Sequence, residues 1–221
     1  MQGYGENVEL YKRYANGMLG HNGLDISTFY GDKLFASFDG VVVEMINNGT
    51  TGYGNEVKLM SDDLGGFRYN AVYGHMTENI PVKVGDRVKA GDVIGYEGNS
   101  GFVVSGGVAY WGMSNPDKRG THLHFGVRVL LPATTQSNTS YLGVEYSIKD
   151  YGNGRYGYID PLPLLGSEDM KLTREQVEKI YVLNGLGLGD TAAIDYWTGK
   201  ELEELLNARL GDLAKEIEQL G

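Results

Sequence analysis

The four histidines of this 221-residue chain are concentrated in three short motifs. His21 begins HNGLD, with Asp25 at its end; His75 lies in YGHM; His122 and His124 alternate in HLHF. The chain has no cysteine, so a metal site would have to use imidazole and carboxylate ligands, the set that suits a hydrolytic Zn²⁺. Because no histidine lies outside the motifs, a shared chemical role is favoured over four separate packing roles.

Local geometry indicates how these side chains could meet. Residues i and i+2 of a strand share a face, so both imidazoles of HLHF would enter one space. Gly20 and Gly23 favour a bent loop for HNGLD, which lets His21 and Asp25 approach one ion. Two imidazoles and a carboxylate form the ligand set of a catalytic zinc with one position open for water, and two histidines then remain for acid–base chemistry.

Each motif taken alone also has a simpler interpretation. HLHF could present two surface histidines on a strand, Asp25 could cap a turn, and His75 could be a buried histidine bonded to a backbone carbonyl. The zinc site therefore rests on the three motifs together. The glycine-rich segment VKVGDRVKAGDVIGYEGNSG is interpreted as two hairpin turns that form scaffold and carry no chemistry.

Composition limits the class of protein. With 41% hydrophobic and 22% charged residues, the chain is expected to fold as a globular protein. A formal net charge of −10 argues against nucleic acid as a partner. No apolar run approaches the ~18 residues of a membrane span. The start MQGYGENVELYKRY lacks the basic region and apolar core of a secretory signal.

Residues 1–165 are predicted to form a mainly β domain with antiparallel sheets and no interrupting amphipathic helix. Thirty-four glycines separate short apolar or alternating runs. The predicted strands are Leu34–Phe38, Val41–Ile46, Glu56–Met60, Arg68–Tyr73, Val82–Val84, Val93–Tyr96, Leu123–Leu131 and Tyr141–Ile148.

Residues 166–221 are predicted to form a small helical module. Two capping boxes begin its helices, at Thr173 with Gln176 and at Thr198 with Glu201. Leucines follow one face of the last helix. That face would pack on its own module or on the β domain, or would support self-association or docking to a virion partner.

The motifs in order, GHNGLD, GYGNEV, YGHM, GDRVKAGDVIGYEGNSG and HLHFGV, resemble the LytM/lysostaphin-type zinc metallopeptidases of family M23. The resemblance covers residues 2–161. It implies the antiparallel β fold of that family and cleavage of peptide cross-links or stem peptides in bacterial peptidoglycan. It further implies one Zn²⁺ per chain, bound by His21, Asp25 and His124. His75 and His122 would then act as catalytic residues, and either could serve as general base or stabilise the oxyanion.

Two segments are longer than in the family pattern. The twenty residues between Gly101 and His122 predict a loop at the rim of the cleft, and Tyr110, Trp111 and Asn115 are its candidate substrate contacts. A solvent-facing hairpin without ligand is the alternative. A second long, tyrosine-rich stretch follows HLHF and predicts an extra hairpin.

The sequence also supports expectations about source and place of action. A start without a leader and an appended helical module suit a bacteriophage lysin or virion-associated hydrolase that acts on the cell wall. A secreted bacterial enzyme whose leader is absent from this sequence is the other source. Two alternatives compete with the enzyme: a non-catalytic M23-like scaffold that binds peptidoglycan or forms part of a virion, and a biotinyl or lipoyl carrier domain. The complete set of five motif residues argues against the former, and the lack of a suitable hairpin lysine argues against the latter.

Overall fold

The structure is a computed structural model that describes residues 2–27, 29–105, 107–112, 118–133 and 137–165, with only the backbone for 111 and 112. Met1–Pro161 forms one compact unit, and Leu162–Gly221 is assigned to a second. The only described element of the second unit is the short helix α2, Leu162–Leu165. The predicted helical module of residues 166–221 lies outside the described residues, so the predicted domain boundary stays a prediction.

The first unit is built almost entirely of antiparallel strands, which confirms the predicted fold class. One helix, α1 (Val8–Tyr14), precedes them. The strands are β1 Leu24–Ile26, β2 Lys33–Phe35, β3 Gly40–Ile46, β4 Asn55–Ser61, β5 Arg68–Met76, β6 Arg87–Val88, β7 Val93–Tyr96, β8 Gly101–Ser105, β9 Val108–Gly112, β10 Leu123–Pro132, β11 Thr139–Tyr141, β12 Val144–Ile148 and β13 Tyr158–Ile159. The main sheet has the order β11-β12-β10-β5-β4-β3-β6, and β1 and β13 also pair with β10.

Successive side chains of the three central strands, β4, β5 and β10, point to opposite faces of the sheet, and one of these faces is apolar. The register aligns Phe125 with Tyr73 on the neighbouring strand, and Tyr73 with Val57 on the next. All three side chains are buried. Burial of a large apolar side chain contributes about 1.5–3 kcal/mol, so rows of this kind hold the sheet together. The opposite face carries His124 on β10, opposite Gly74 on β5.

The strand predictions were wrong at two places and incomplete at others. The single strand predicted over Tyr141–Ile148 is two strands, β11 and β12, joined by a turn at residues 142 and 143. Val82–Val84 is not a strand, because Lys83 uses its N–H for the Asp86 carboxylate and its carbonyl for the Asp86 N–H, which closes a turn. Helix α1 was not predicted: it has seven residues and no buried side chain, so it leaves no amphipathic pattern. No helix in the described ranges is long and apolar enough to cross a membrane.

The predicted extra hairpin after HLHF is confirmed as β11 and β12, which extend the main sheet beyond β10. A separate apolar cluster anchors it to the sheet. The buried members of this cluster are Val43, Met60, Leu130, Tyr141, Tyr146 and Ile148.

Candidate active site

Two neighbouring strands place the carboxylate and one imidazole of the predicted metal site side by side. Asp25 on β1 is the direct cross-strand partner of His124 on β10. His21 lies in the bend just before β1 and is 1% exposed. The bend turns its imidazole back towards the same point, so three residues from two distant motifs converge.

The converging atoms form a triangle that suits a single cation. His21 Nε2 lies 2.9 Å from His124 Nδ1 and 3.0 Å from Asp25 Oδ1, and the third side, from His124 Nδ1 to Asp25 Oδ1, is 3.2 Å. Ligands of a tetrahedral zinc at 2.0–2.1 Å stand about 3.3 Å apart. Hydrogen bonds alone do not explain these three short distances well. If His21 Nε2 and His124 Nδ1 both carried protons directed at Asp25, the two N–H groups would also face each other. The residues therefore fit a metal ion.

The contacts around His21 fix the orientation of this ligand. Its Nδ1 lies 3.2 Å from the carbonyl oxygen of Gly3, and a carbonyl can only accept, so Nδ1 carries the proton and Nε2 faces the site. Gly23 lets the bend lie close against β10. A Cβ at that position would stand 2.5 Å from the Phe125 carbonyl oxygen and 2.8 Å from Cε1 of His124.

Burial and hydrogen bonding set the charges of the ligand residues in opposite ways. Burial by itself would raise the pKa of Asp25, but the hydrogen bonds with His124 and His21 outweigh it and hold this pKa well below its ordinary value. Burial lowers the pKa of His124 to about 4, despite the opposing hydrogen bond with Asp25. At neutral pH Asp25 is thus a carboxylate and His124 a neutral imidazole, the forms that bind metal.

An irregularity in β5 directs His75 towards the same face. In a regular strand His75 would share the core face with Tyr73, away from His124. The pairing with β4 shifts, however, so that β5 contains one extra residue between Tyr73 and Met76. His75 has a φ of 60°, an uncommon conformation for a residue other than glycine. Its ring consequently comes within 6.2 Å of the His124 ring, centroid to centroid.

The two remaining histidines lie together, each tied to a backbone carbonyl. The ring centroids of His75 and His122 are 4.5 Å apart. His75 Nδ1 lies 2.8 Å from the Ser100 oxygen, and His122 Nδ1 lies 2.7 Å from the Gly120 oxygen. Because carbonyls only accept, both Nδ1 atoms carry a proton, and in the neutral form of each ring the lone pair is on Nε2. Burial also lowers the pKa of His75 well below its ordinary value, which keeps it neutral.

An open cleft of about 420 Å³ lies beside Asp25 and His122. Strand β8 lines it through Val104 and Ser105. The long segment before His122 thus includes a hairpin, β8–β9, with one strand at the cleft.

The candidate substrate contacts on this segment are placed as follows. Tyr110 lies on β9, where its hydroxyl accepts a hydrogen bond from Arg119. Only the backbone of Trp111 is described, and Asn115 lies outside the described residues.

A family model described as peptidase family M23 matches residues 19–139, which is more than half of the chain. The chain belongs to peptidase family M23. The matched range contains all five residues of the candidate site, from His21 to His124.

A relative of this M23 chain is the glycyl-glycine endopeptidase ALE-1 of Staphylococcus capitis, which is 36% identical over 118 residues. The match covers 52% of the chain and 29% of that relative. Among solved structures, the catalytic domain of lysostaphin from Staphylococcus simulans is 27% identical, with a TM-score of 0.44, and the match covers 76% of this chain and 91% of that one. LytU is 29% identical, with a TM-score of 0.41, over 66% of this chain and 72% of that one.

Sequence reasoning missed the groups that orient the histidines of this M23 site. Three are backbone carbonyls, at Gly3, Ser100 and Gly120. A carbonyl is present at every residue, so the sequence carries no signal for them. Ser100 belongs to the segment interpreted as scaffold, although that segment contacts His75 directly. Tyr53 was also missed, although it lies inside the quoted motif GYGNEV.

Proposed function

We propose that this chain is a zinc-dependent endopeptidase that cleaves peptide cross-links or stem peptides of bacterial peptidoglycan. The observation that carries the proposal is the triangle of His21 Nε2, Asp25 Oδ1 and His124 Nδ1, with sides of 2.9–3.2 Å. These three residues would hold one zinc ion. Bound there, zinc would supply Lewis acidity to the scissile carbonyl and to the attacking water.

His75 and His122 provide the proton transfers of the hydrolysis. Both present an unprotonated Nε2, so either can accept a proton from the attacking water. The resulting imidazolium can donate that proton to the leaving amine. His122 Nε2 lies 3.6 Å from Asp25 Oδ1 and lines the cleft, so this histidine is placed to meet the substrate. His75 lies behind it, and its lowered pKa keeps the imidazole unprotonated at neutral pH, so that its Nε2 is available to accept a proton.

The family and the cleft support the proposed substrate class. The curated relative is named a glycyl-glycine endopeptidase, and the chain spans 29% of its length. The cleft is open, and beside Asp25 and His122 it is lined by uncharged groups, including those of Ser27, Val104 and Thr121. A peptide with small, uncharged side chains fits such a surface. Within peptidoglycan we therefore place glycine bridges and alanine-containing stems first.

Metal content and catalysis can be separated by two sets of variants. We expect about one zinc per purified chain, and we expect that Asp25→Ala and His124→Ala lose both the zinc and the activity. His122→Ala and His75→Ala should keep the zinc and lose most of the rate, about 10²–10⁴-fold for a general acid–base group. Asp63→Ala removes an exposed carboxylate from a turn and is the control.

The bond that is cut is identified by digesting purified peptidoglycan of two cross-link chemotypes. Mass spectrometry of the new amino termini then names the residue on each side of the cleaved bond. Full zinc occupancy in both ligand variants would disprove the ligand assignment. Release of no new amino terminus from either chemotype by the zinc-loaded protein would disprove the proposed activity.

A further inference from the structure

Tyr53 lies where the three histidine motifs meet. It stands in the loop before β4, within GYGNEV. Its Cβ lies above Gly74, the cross-strand partner of His124: a Cβ built on Gly74 would be 3.1 Å from it. The glycine before His75 therefore leaves room for a tyrosine beside His124.

The ring of Tyr53 stacks on the ring of His124. Their centroids are 4.6 Å apart and their planes differ by 19°. A metal-binding histidine is usually oriented by a hydrogen bond from its second nitrogen, as His21 is by Gly3. For His124 the described residues supply no such bond, and its buried Nε2 has no partner among them. The stacked ring is thus the contact that fixes the plane of this imidazole.

The backbone of Tyr53 holds the second histidine. Its carbonyl oxygen accepts a hydrogen bond from the N–H of His75, at 2.6 Å. That N–H belongs to the residue with the φ of 60° at the irregularity of β5. Because a left-handed conformation is unfavourable for a non-glycine residue, it persists only where the surroundings require it. The hydrogen bond to the Tyr53 carbonyl is one of the contacts that hold His75 in this conformation.

The hydroxyl of Tyr53 is tied to the first motif. Asn22, the second residue of HNGLD, donates from its side-chain nitrogen to the hydroxyl at 2.5 Å. Asn22 is buried and adjacent to His21. Tyr53 therefore contacts all three motifs: HNGLD through its hydroxyl, HLHF through its ring and YGHM through its backbone carbonyl.

We propose that Tyr53 is the positioning residue of this site: its ring sets the plane of the zinc ligand His124, and its carbonyl sets the backbone of His75. The inference rests on the zinc site of the proposed function. Tyr53 is not one of the proposed ligands and would act only through the two histidines.

The test compares substitutions that remove different parts of Tyr53 in the full chain. Tyr53→Leu removes the stacked ring, and we expect zinc affinity, measured by competition with a chelator, to fall roughly 10-fold or more, as for other outer-shell changes. Tyr53→Phe keeps the ring and loses the hydroxyl, with its hydrogen bonds to Asn22 and Tyr158. Because the stacked ring is retained, its zinc affinity should stay much closer to that of the wild type than the affinity of Tyr53→Leu. Tyr69→Leu is the matched control, because Tyr69 is another partly exposed tyrosine with aromatic neighbours, Phe38 and Phe67.

A second measurement reports geometry directly. Co²⁺ replaces Zn²⁺ in the same proteins, and its visible absorption depends on the arrangement of its ligands. We expect the spectrum to change in Tyr53→Leu and to be retained in Tyr53→Phe and Tyr69→Leu. If Tyr53→Leu does not fold, Tyr53→Met supplies the comparison, because its unbranched side chain fills irregular space but also lacks the ring, and the same loss of zinc affinity is expected.

The outcomes separate this inference from the function on which it rests. If the wild-type chain binds no zinc, the proposed function is wrong. If the wild type binds zinc, and the folded Tyr53→Leu chain binds it with equal affinity and an unchanged Co²⁺ spectrum, the positioning role of Tyr53 is wrong. Equal losses in Tyr53→Leu and Tyr69→Leu would also overturn it, because the effect would then be general destabilisation.

Discussion

Gly23 offers a sharp test of how the HNGLD bend is held against β10. A Cβ at residue 23 would stand 2.5 Å from the Phe125 carbonyl oxygen and 2.8 Å from His124 Cε1, well inside contact distance. The obstructing carbonyl belongs to β10, which pairs with β5 and cannot move aside. Overpacking of this kind costs about 1–3 kcal/mol, and we expect Gly23→Ala near the upper end. The bend would shift outward and carry His21 away from the other ligands.

Two glycines provide matched controls for this substitution. Gly152→Ala places its methyl group where no atom lies within 4 Å. Gly40→Ala is as crowded as Gly23→Ala, with a Cβ 2.3 Å from the Met60 carbonyl oxygen, but lies on β3 outside the site. We expect Gly152→Ala to be neutral, Gly40→Ala to lose stability with its zinc affinity intact, and Gly23→Ala to lose both.

The assay is thermal unfolding followed by circular dichroism, with zinc and with a chelator, together with zinc titration at 25 °C. Each kcal/mol lost should lower the midpoint by roughly 2–4 °C for a domain of this size. Unfolding of Gly23→Ala at the wild-type temperature would show that the bend does not need a glycine. A destabilised Gly23→Ala that binds zinc as tightly as Gly40→Ala would show that the bend does not position His21.

Three further outcomes are expected. Val104→Glu puts a charge on the cleft wall and should lower kcat/KM with zinc content unchanged, whereas Val108→Glu, on the other strand of the hairpin, should leave steady-state kinetics unaltered. Lys58→Met leaves the buried Glu56 without its cation and should cost about 3–5 kcal/mol in urea unfolding; adding Glu56→Gln should recover much of that loss. Because the pKa of His124 is about 4 when folded and higher when unfolded, the metal-free chain should lose stability as pH falls from about 6.5 towards 4, and a constant urea midpoint over that range would contradict this.

The three proposed metal ligands could be predicted from the sequence because the chemistry that suggests them is in their side chains. His21 and Asp25 are close in the chain, and the alternation of HLHF places His122 and His124 on one side of a strand. Structure was needed to show that Asp25 and His124 are direct cross-strand partners. Pairing over about a hundred residues leaves no local signal in a single sequence.

The sequence indicates that His75 belongs to the site but not how its side chain gets there. Strict alternation along β5 would put His75 on the same face as Tyr73. The extra residue in β5 turns it to the other face, and nothing in the sequence marks that irregularity. Two backbone carbonyls, at Ser100 and Gly120, contact the Nδ1 atoms of His75 and His122. They could not be predicted either, because every residue has a carbonyl and the sequence does not show which ones face a histidine.

The chain has no cysteine, but with zinc bound the proposed ligand triangle would act as a cross-link comparable to a disulfide. Asp25 and His124 are 99 residues apart, and β1 pairs with β10 over only three residues. A zinc ion shared by them would close that long loop, and closing a loop of about a hundred residues removes several kcal/mol of chain entropy from the unfolded state. Since the ligands meet only in the folded chain, free zinc would stabilise the fold in proportion to the logarithm of its concentration. Metal supply would then affect the lifetime of the folded chain as well as the proposed hydrolysis.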